Sequence, residues 1–328
     1  ISLELAGIDG FTKSGGGTLT LSATNSYTGS TIVNGANSVL LLKNNLALNG
    51  SAGITVTNSG MLRLDNGITV TGKTATVFGK GNNNGTIQPA SGTATWAGPI
   101  ILGEDQTRLG TAQNTATLVI DGPIGDGGNG FGPAIRCTDS SGTNFGTVLL
   151  NSQSTYSGTT TVVVGVLKLG GDNRLPPQSV LTIGNTPNVN NAHVELAGFN
   201  QTVAGLTSLG TTMETTITNS SGTSSVLTVS NETYSVYGIT GGSGLIAGNI
   251  SLVKDGPGTQ ALNNANRYTG DTIVSNGVLN ISQNGAIWSS TSITVEAGAR
   301  LVIENTSADV MTNTAVVILK SGAPAGKI

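Results

Sequence analysis

Charge is scarce in this chain: 9% of its 328 residues are Asp, Glu, Lys or Arg, against roughly a quarter in an ordinary soluble domain. Aromatics make up only 4%, and there is one cysteine and one histidine. Each scarcity excludes something. A lone Cys137 rules out an intramolecular disulfide framework and any multi-cysteine zinc site. With 14 basic and 17 acidic side chains the net charge is −3, which leaves no basic footprint for nucleic acid. The longest apolar run, Ala315 to Leu319, is too short to cross a bilayer, so no membrane span is expected in this chain. Good surface-helix formers are sparse while glycine occurs 49 times, so helices are hard to place anywhere. The chain opens on Ile1 without a Met or a basic leader, which reads as a mature or excised piece.

What is present points to strands. Hydrophobic residues reach 37%, mostly Val, Ile and Leu, and low net charge with ample apolar content is not the composition of a disordered chain. The surface must then be built from hydroxyl and amide side chains, which suit strands and turns better than helices. Three segments align: Tyr27-Thr28-Gly29-Ser30-Thr31-Ile32-Val33, Tyr156-Ser157-Gly158-Thr159-Thr160-Thr161-Val162 and Tyr268-Thr269-Gly270-Asp271-Thr272-Ile273-Val274. An apolar strand precedes each, a second follows it, and a further pair of short strands comes after. The copies lie near residues 11–66, 145–206 and 250–305.

The spacing between like strands is nearly constant. Val33 to Val56, Val162 to Ile183, Val274 to Val295, Leu40 to Leu62 and Leu279 to Leu301 each step by about 20–25 residues. A constant step is what a solenoid needs, because each turn must bring like strand over like strand. Alternation within each strand puts one face inward and one in solvent, and Gly, Asn and Asp supply the corners. The fold class expected is all-β, a right-handed parallel β-helix (β-solenoid) with about 20–25 residues per coil, running through 1–328 as one continuous body of roughly 13–16 coils. A pair of β-sandwiches also uses short strands, but has no reason to repeat a strand pair at fixed spacing. Inward positions are expected at Val162, Leu167, Leu279 and Leu301. The polar string Thr186 to Asn191 reads as a protruding loop.

These residues carry a family resemblance. Lys254-Asp255-Gly256, then Asn266-Arg267-Tyr268-Thr269-Gly270, then Gly277-Val278-Leu279, together with Leu196-Ala197-Gly198-Phe199-Asn200-Gln201-Thr202-Val203, resemble the autotransporter-associated β-strand repeat of secreted bacterial passenger proteins. The resemblance implies export to the cell surface or the extracellular space, with display or adhesion as the role. Self-association end to end through exposed strand edges is the partner expected, with a cell-surface or glycan ligand as the other class.

The chemistry-bearing residues weigh against catalysis. Polysaccharide lyases and hydrolases also use parallel β-helices, and a non-catalytic glycan-binding module is a third class. Such enzymes need carboxylates converging on one groove. Glu104, Asp105 and Arg108 form the best local cluster, and they read as a solvated corner; Asp172 with Arg174 reads as a loop ion pair. His193, the only histidine, falls at an exposed strand start, where a triad or metal role is not expected. Gly125-Asp126-Gly127-Gly128-Asn129-Gly130 has the style of a calcium-binding turn but occurs once, so a flexible loop is the better reading. Cys137, beside Arg136, reads as a packing residue. No enzyme activity, cofactor or metal is expected. The repeat-motif residues Tyr27, Gly29, Tyr156, Gly158, Tyr268 and Gly270 are assigned a structural role at the coil corners.

Overall fold

The structure is a computed structural model, and it describes residues 1–137, 145–185, 191–210, 214–239, 244–305, 310–312 and 314–320. Of the loop expected at 186–191, residues 186–190 lie outside these. The chain is an all-β parallel solenoid of about 12 turns, with no helix among the described residues. It forms two compact units, 1–167 and 168–328.

In the first unit three parallel sheets recur in chain order. The first sheet stacks Phe11–Lys13, Thr31–Asn34, Ile54–Thr57, Ala75–Val77, Ile100–Leu102 and Ile124–Gly125. Their register sets Phe11 beside Thr31, Thr31 beside Ile54, Ile54 beside Ala75, Ala75 beside Ile100 and Ile100 beside Ile124. The second stacks Gly17–Leu21, Ser38–Leu42, Met61–Leu64, Ile87–Pro89, Thr107–Thr111 and Pro133–Cys137. Thr160–Leu169 follows, Ala134 meeting Thr161 in a longer step than any in the first sheet, and the register shifts by one residue between Ile135 and Arg136. The third runs through Thr69–Thr71, Thr93–Ala97, Thr117–Ile120 and Thr147–Leu150. Corner insertions lengthen some coils, and this is why the chain completes fewer turns than a uniform step predicts.

The second unit repeats the plan. One sheet stacks Gln201–Val203, Ser225–Ser230, Ile250–Asp255, Thr272–Val274, Ser292–Val295 and Val316–Leu319. Another stacks Ser235–Tyr237, Thr259–Leu262, Val278–Gln283 and Arg300–Asn305, and a third Ala192–Glu195, Thr215–Asn219, Leu245–Gly248 and Ala265–Tyr268.

The core is a set of aliphatic columns. Leu40, Leu62, Ile87, Leu109, Ile135 and Val162 follow one another in register, and all are fully buried. Period-2 alternation creates such a column: inward side chains of stacked strands sit at the strand spacing of about 4.8 Å, close enough for continuous aliphatic contact. Of the five pairs expected from spacing, four are register partners: Val33 with Val56, Leu40 with Leu62, Val274 with Val295 and Leu279 with Leu301. Val162, Leu167 and Leu279 are buried as expected. Leu301 is only half-buried, because its strand is the last of its sheet and no described coil stacks beyond it.

Candidate functional site

The chemistry-bearing residues turn mostly toward their own backbone. Asp105 Oδ1 accepts the Gly132 amide of the next coil at 2.9 Å, while Arg108 Nη1 donates to the Asn83 carbonyl at 2.9 Å and to the Asn83 side chain. Asp172 and Arg174 do not form an ion pair: Arg174 Nη1 bonds the Asp172 carbonyl (3.1 Å), and the Asp172 carboxylate accepts the Asn200 amide (2.7 Å). His193 is half-buried rather than exposed, with Nδ1 2.6 Å from Thr216 Oγ1. Burial lowers its pKa, and the nearby Glu214 carboxylate pulls the other way. The Cys137 thiol is fully buried and burial pushes it up to about 12, the state of a packing residue and not of a nucleophile. Among the described residues, no three His, Cys, Asp or Glu side chains group so as to hold a metal ion.

The three Tyr-x-Gly corners share one geometry. Tyr27, Tyr156 and Tyr268 are buried, and each hydroxyl pairs with a threonine four residues on: Thr31 at 2.7 Å, Thr160 at 2.6 Å and Thr272 at 2.7 Å. A phenol entering a coil interior must find a partner there, and the fixed four-residue spacing supplies it. In the first and third corners the threonine passes the bond to a serine of the next coil, Thr31 to Ser51 (3.0 Å) and Thr272 to Ser290 (2.8 Å). Those serines return to the carbonyls of Gly29 and Gly270. The glycines are required by proximity: an added Cβ would lie 2.6 Å from Gly10 Cα at Gly29, 2.5 Å from Gly130 O at Gly158 and 2.6 Å from Ile250 O at Gly270. Here the backbones of successive coils touch.

The family description passenger-associated-transport-repeat matches three stretches, residues 11–36, 143–169 and 252–281, about a quarter of the chain. Each match contains one of these corners. The chain carries three passenger-associated-transport repeats. Nothing matches among curated proteins, and no solved structure matches. The repeat together with the solenoid fits an autotransporter passenger region, and the repeat suggests a secreted or surface protein.

Within the repeats, several residues whose role the sequence does not assign bind neighbouring coils. The asparagine two before the tyrosine is a buried staple. Asn25 Oδ1 accepts the Leu5 amide (2.8 Å), and Asn266 Oδ1 accepts the Ile246 amide (2.9 Å), each from the preceding coil. The second repeat has Ser154 in this place, too short to make that bond. A lysine at one fixed distance ahead of the tyrosine closes the opposite corner in the first and third repeats. Lys13 Nζ donates to the Ser14 and Gly15 carbonyls (2.9 and 2.8 Å), and Lys254 Nζ to those of Asp255, Gly256 and Asn276 (2.6, 2.8 and 3.2 Å). Lys254 is fully buried, and burial pulls it down to about 8 while Asp255 and Glu232 oppose the shift.

The second repeat is held by Asp126 instead. Its Oδ1 accepts the Gly128 amide (3.0 Å), and Oδ2 accepts those of Gly130 and Phe131 (2.9 and 3.1 Å). Oδ2 also takes both the amide and the hydroxyl of Ser157, one coil on (3.3 and 2.7 Å). The Gly125–Gly130 turn is therefore an ordered clasp on the repeat, not a flexible loop. Despite the burial of the carboxylate, these donors hold its pKa down to about 2. Equal spacing of Tyr, Asn and Lys across copies was the available signal for the staples; for Asp126, paired to Ser157 only through folding, there was none.

Proposed function

We propose that this protein is an extracellular or cell-surface β-solenoid of passenger type, with a structural or adhesive role and no catalytic one. The observation that carries the reading is how the repeats spend their polar groups. Tyr, Asn, Lys, Ser and Asp side chains at the corners bond backbone amides and carbonyls of neighbouring coils, so they serve to build a scaffold. Asp105, from the charged cluster with Glu104 and Arg108, is bound to a backbone amide in the same way. Self-association belongs to the same reading. A strand of a second copy would extend the parallel sheets by main-chain hydrogen bonds at an open strand edge.

Protease treatment of intact source cells tests the location: the chain is expected to be cut while cytoplasmic proteins survive. Purified protein incubated with pectin, alginate, chitin and xylan is expected to release neither reducing ends nor unsaturated products. Release that disappears in Glu104→Gln or Asp105→Asn would replace the scaffold reading with a polysaccharide-active enzyme.

A further inference from the structure

Three arginines stand on the outward side of the second sheet of the first unit. Arg63 is in register with Gln88, and Arg136 with Gly110; Arg108, in register with Ala134, stands two residues to the side of Arg136 and one coil before it. All three are half-buried, and each Nε is enclosed without an acceptor. The ion pairs among the described residues are Lys43–Asp65 and Lys320–Glu296, so none of the three arginines has a carboxylate partner there. Among the same residues Arg63 and Arg136 have no hydrogen-bond acceptor either, and Arg108 has only Asn83. Burial lowers the pKa of all three, and the charge of Arg136 lowers that of Arg108 further. Two half-buried like charges side by side, with no carboxylate partner among the described residues, favour an anion that joins them.

We propose that Arg108 and Arg136 form a binding site for the carboxylate or sulfate groups of an acidic polysaccharide. Guanidinium forks match such planar or tetrahedral oxyanions in a bidentate way. Arg108 and Arg136 stand one coil apart, a step of about 4.8 Å along the axis, close enough for one segment of a linear polymer to meet both. Nucleic acid fits less well, because the chain carries a net charge of −3 and offers no extended basic footprint for a phosphate backbone. The inference rests on the display reading only in taking its ligand from outside the cell.

Isothermal titration of the full chain tests it, with polygalacturonate and alginate as carboxylated probes, dextran sulfate as the sulfated one and dextran as the neutral control. Wild type is expected to bind at least one charged polymer, more weakly as salt rises, and not to bind dextran. Arg108→Gln with Arg136→Gln is expected to weaken that binding about ten- to a hundredfold, while Arg267→Gln, an exposed arginine of the second unit, leaves it unchanged. Should the double Gln variant lose its β circular dichroism, Arg108→Lys with Arg136→Lys replaces it, and a loss of about threefold or more is expected as the forks disappear. The proposal is overturned if no charged glycan binds, if the double variant binds as wild type does, or if single-stranded DNA or phosphatidylglycerol vesicles bind as tightly as the glycans. Protease-accessible protein on cells with no glycan binding sinks this inference alone and leaves the display reading standing.

Discussion

Replacing Asp126 with asparagine isolates the clasp on the second repeat. The carboxylate accepts five hydrogen bonds, two of them from Ser157 in the next coil, and the buried site offers it no water instead. These donors bring its pKa from 3.8 to about 2. At 1.36 kcal/mol per pH unit, that difference is worth about 2 kcal/mol of folding stability to the ionised form. The folded pKa is depressed, so the contribution is complete above the unfolded value near 3.8 and disappears as pH falls through about 2. Asp126→Asn also turns an amide NH₂ toward backbone N–H donors, so its cost at pH 7 is expected to be at least about 2 kcal/mol. Urea titrations followed by circular dichroism at pH 7, 4 and 2.5 would read this out. The gap between wild type and variant should be widest at pH 7 and close toward pH 2.5. Equal midpoints at pH 7, or a gap that stays constant down to pH 2.5, would refute an ionised clasp.

Two other perturbations follow from the same geometry. Gly158→Ala puts a Cβ 2.5 Å from the Gly130 carbonyl oxygen and the Gly132 amide, backbone atoms that cannot rotate away, and about 1–3 kcal/mol or more of stability should be lost. Gly222→Ala meets nothing within 4 Å and should melt as wild type does, so similar melting of both variants would show that the coils do not touch at the repeat corner. Leu279→Ala empties a fully buried site stacked on Leu301 and should lower stability by about 2–5 kcal/mol; an unchanged urea midpoint would mean that the inward phase of its strand is misassigned.

The sequence by itself determined the coil. A near-constant step between like strands, with apolar residues alternating inside each strand, can be satisfied only by stacking, because a one-residue slip would turn every inward side chain outward. Hence the pairs Leu40 with Leu62 and Leu279 with Leu301 were legible before folding. So was the pattern of the Tyr-x-Gly corner, whose three copies repeat the tyrosine, the glycine and the threonine four residues on. Only the tertiary structure decided which polar groups meet across coils. Corner insertions vary the step within the first unit, from the short one between Phe11 and Thr31 to the long one between Thr117 and Thr147. Counting along the chain therefore cannot show that Asp126 reaches Ser157 or that Arg63, Arg108 and Arg136 share one face. Apolar residues announce their side by period, whereas a polar side chain takes whichever donor or acceptor the adjoining coil presents, and that neighbour is set by the length of the corner between them.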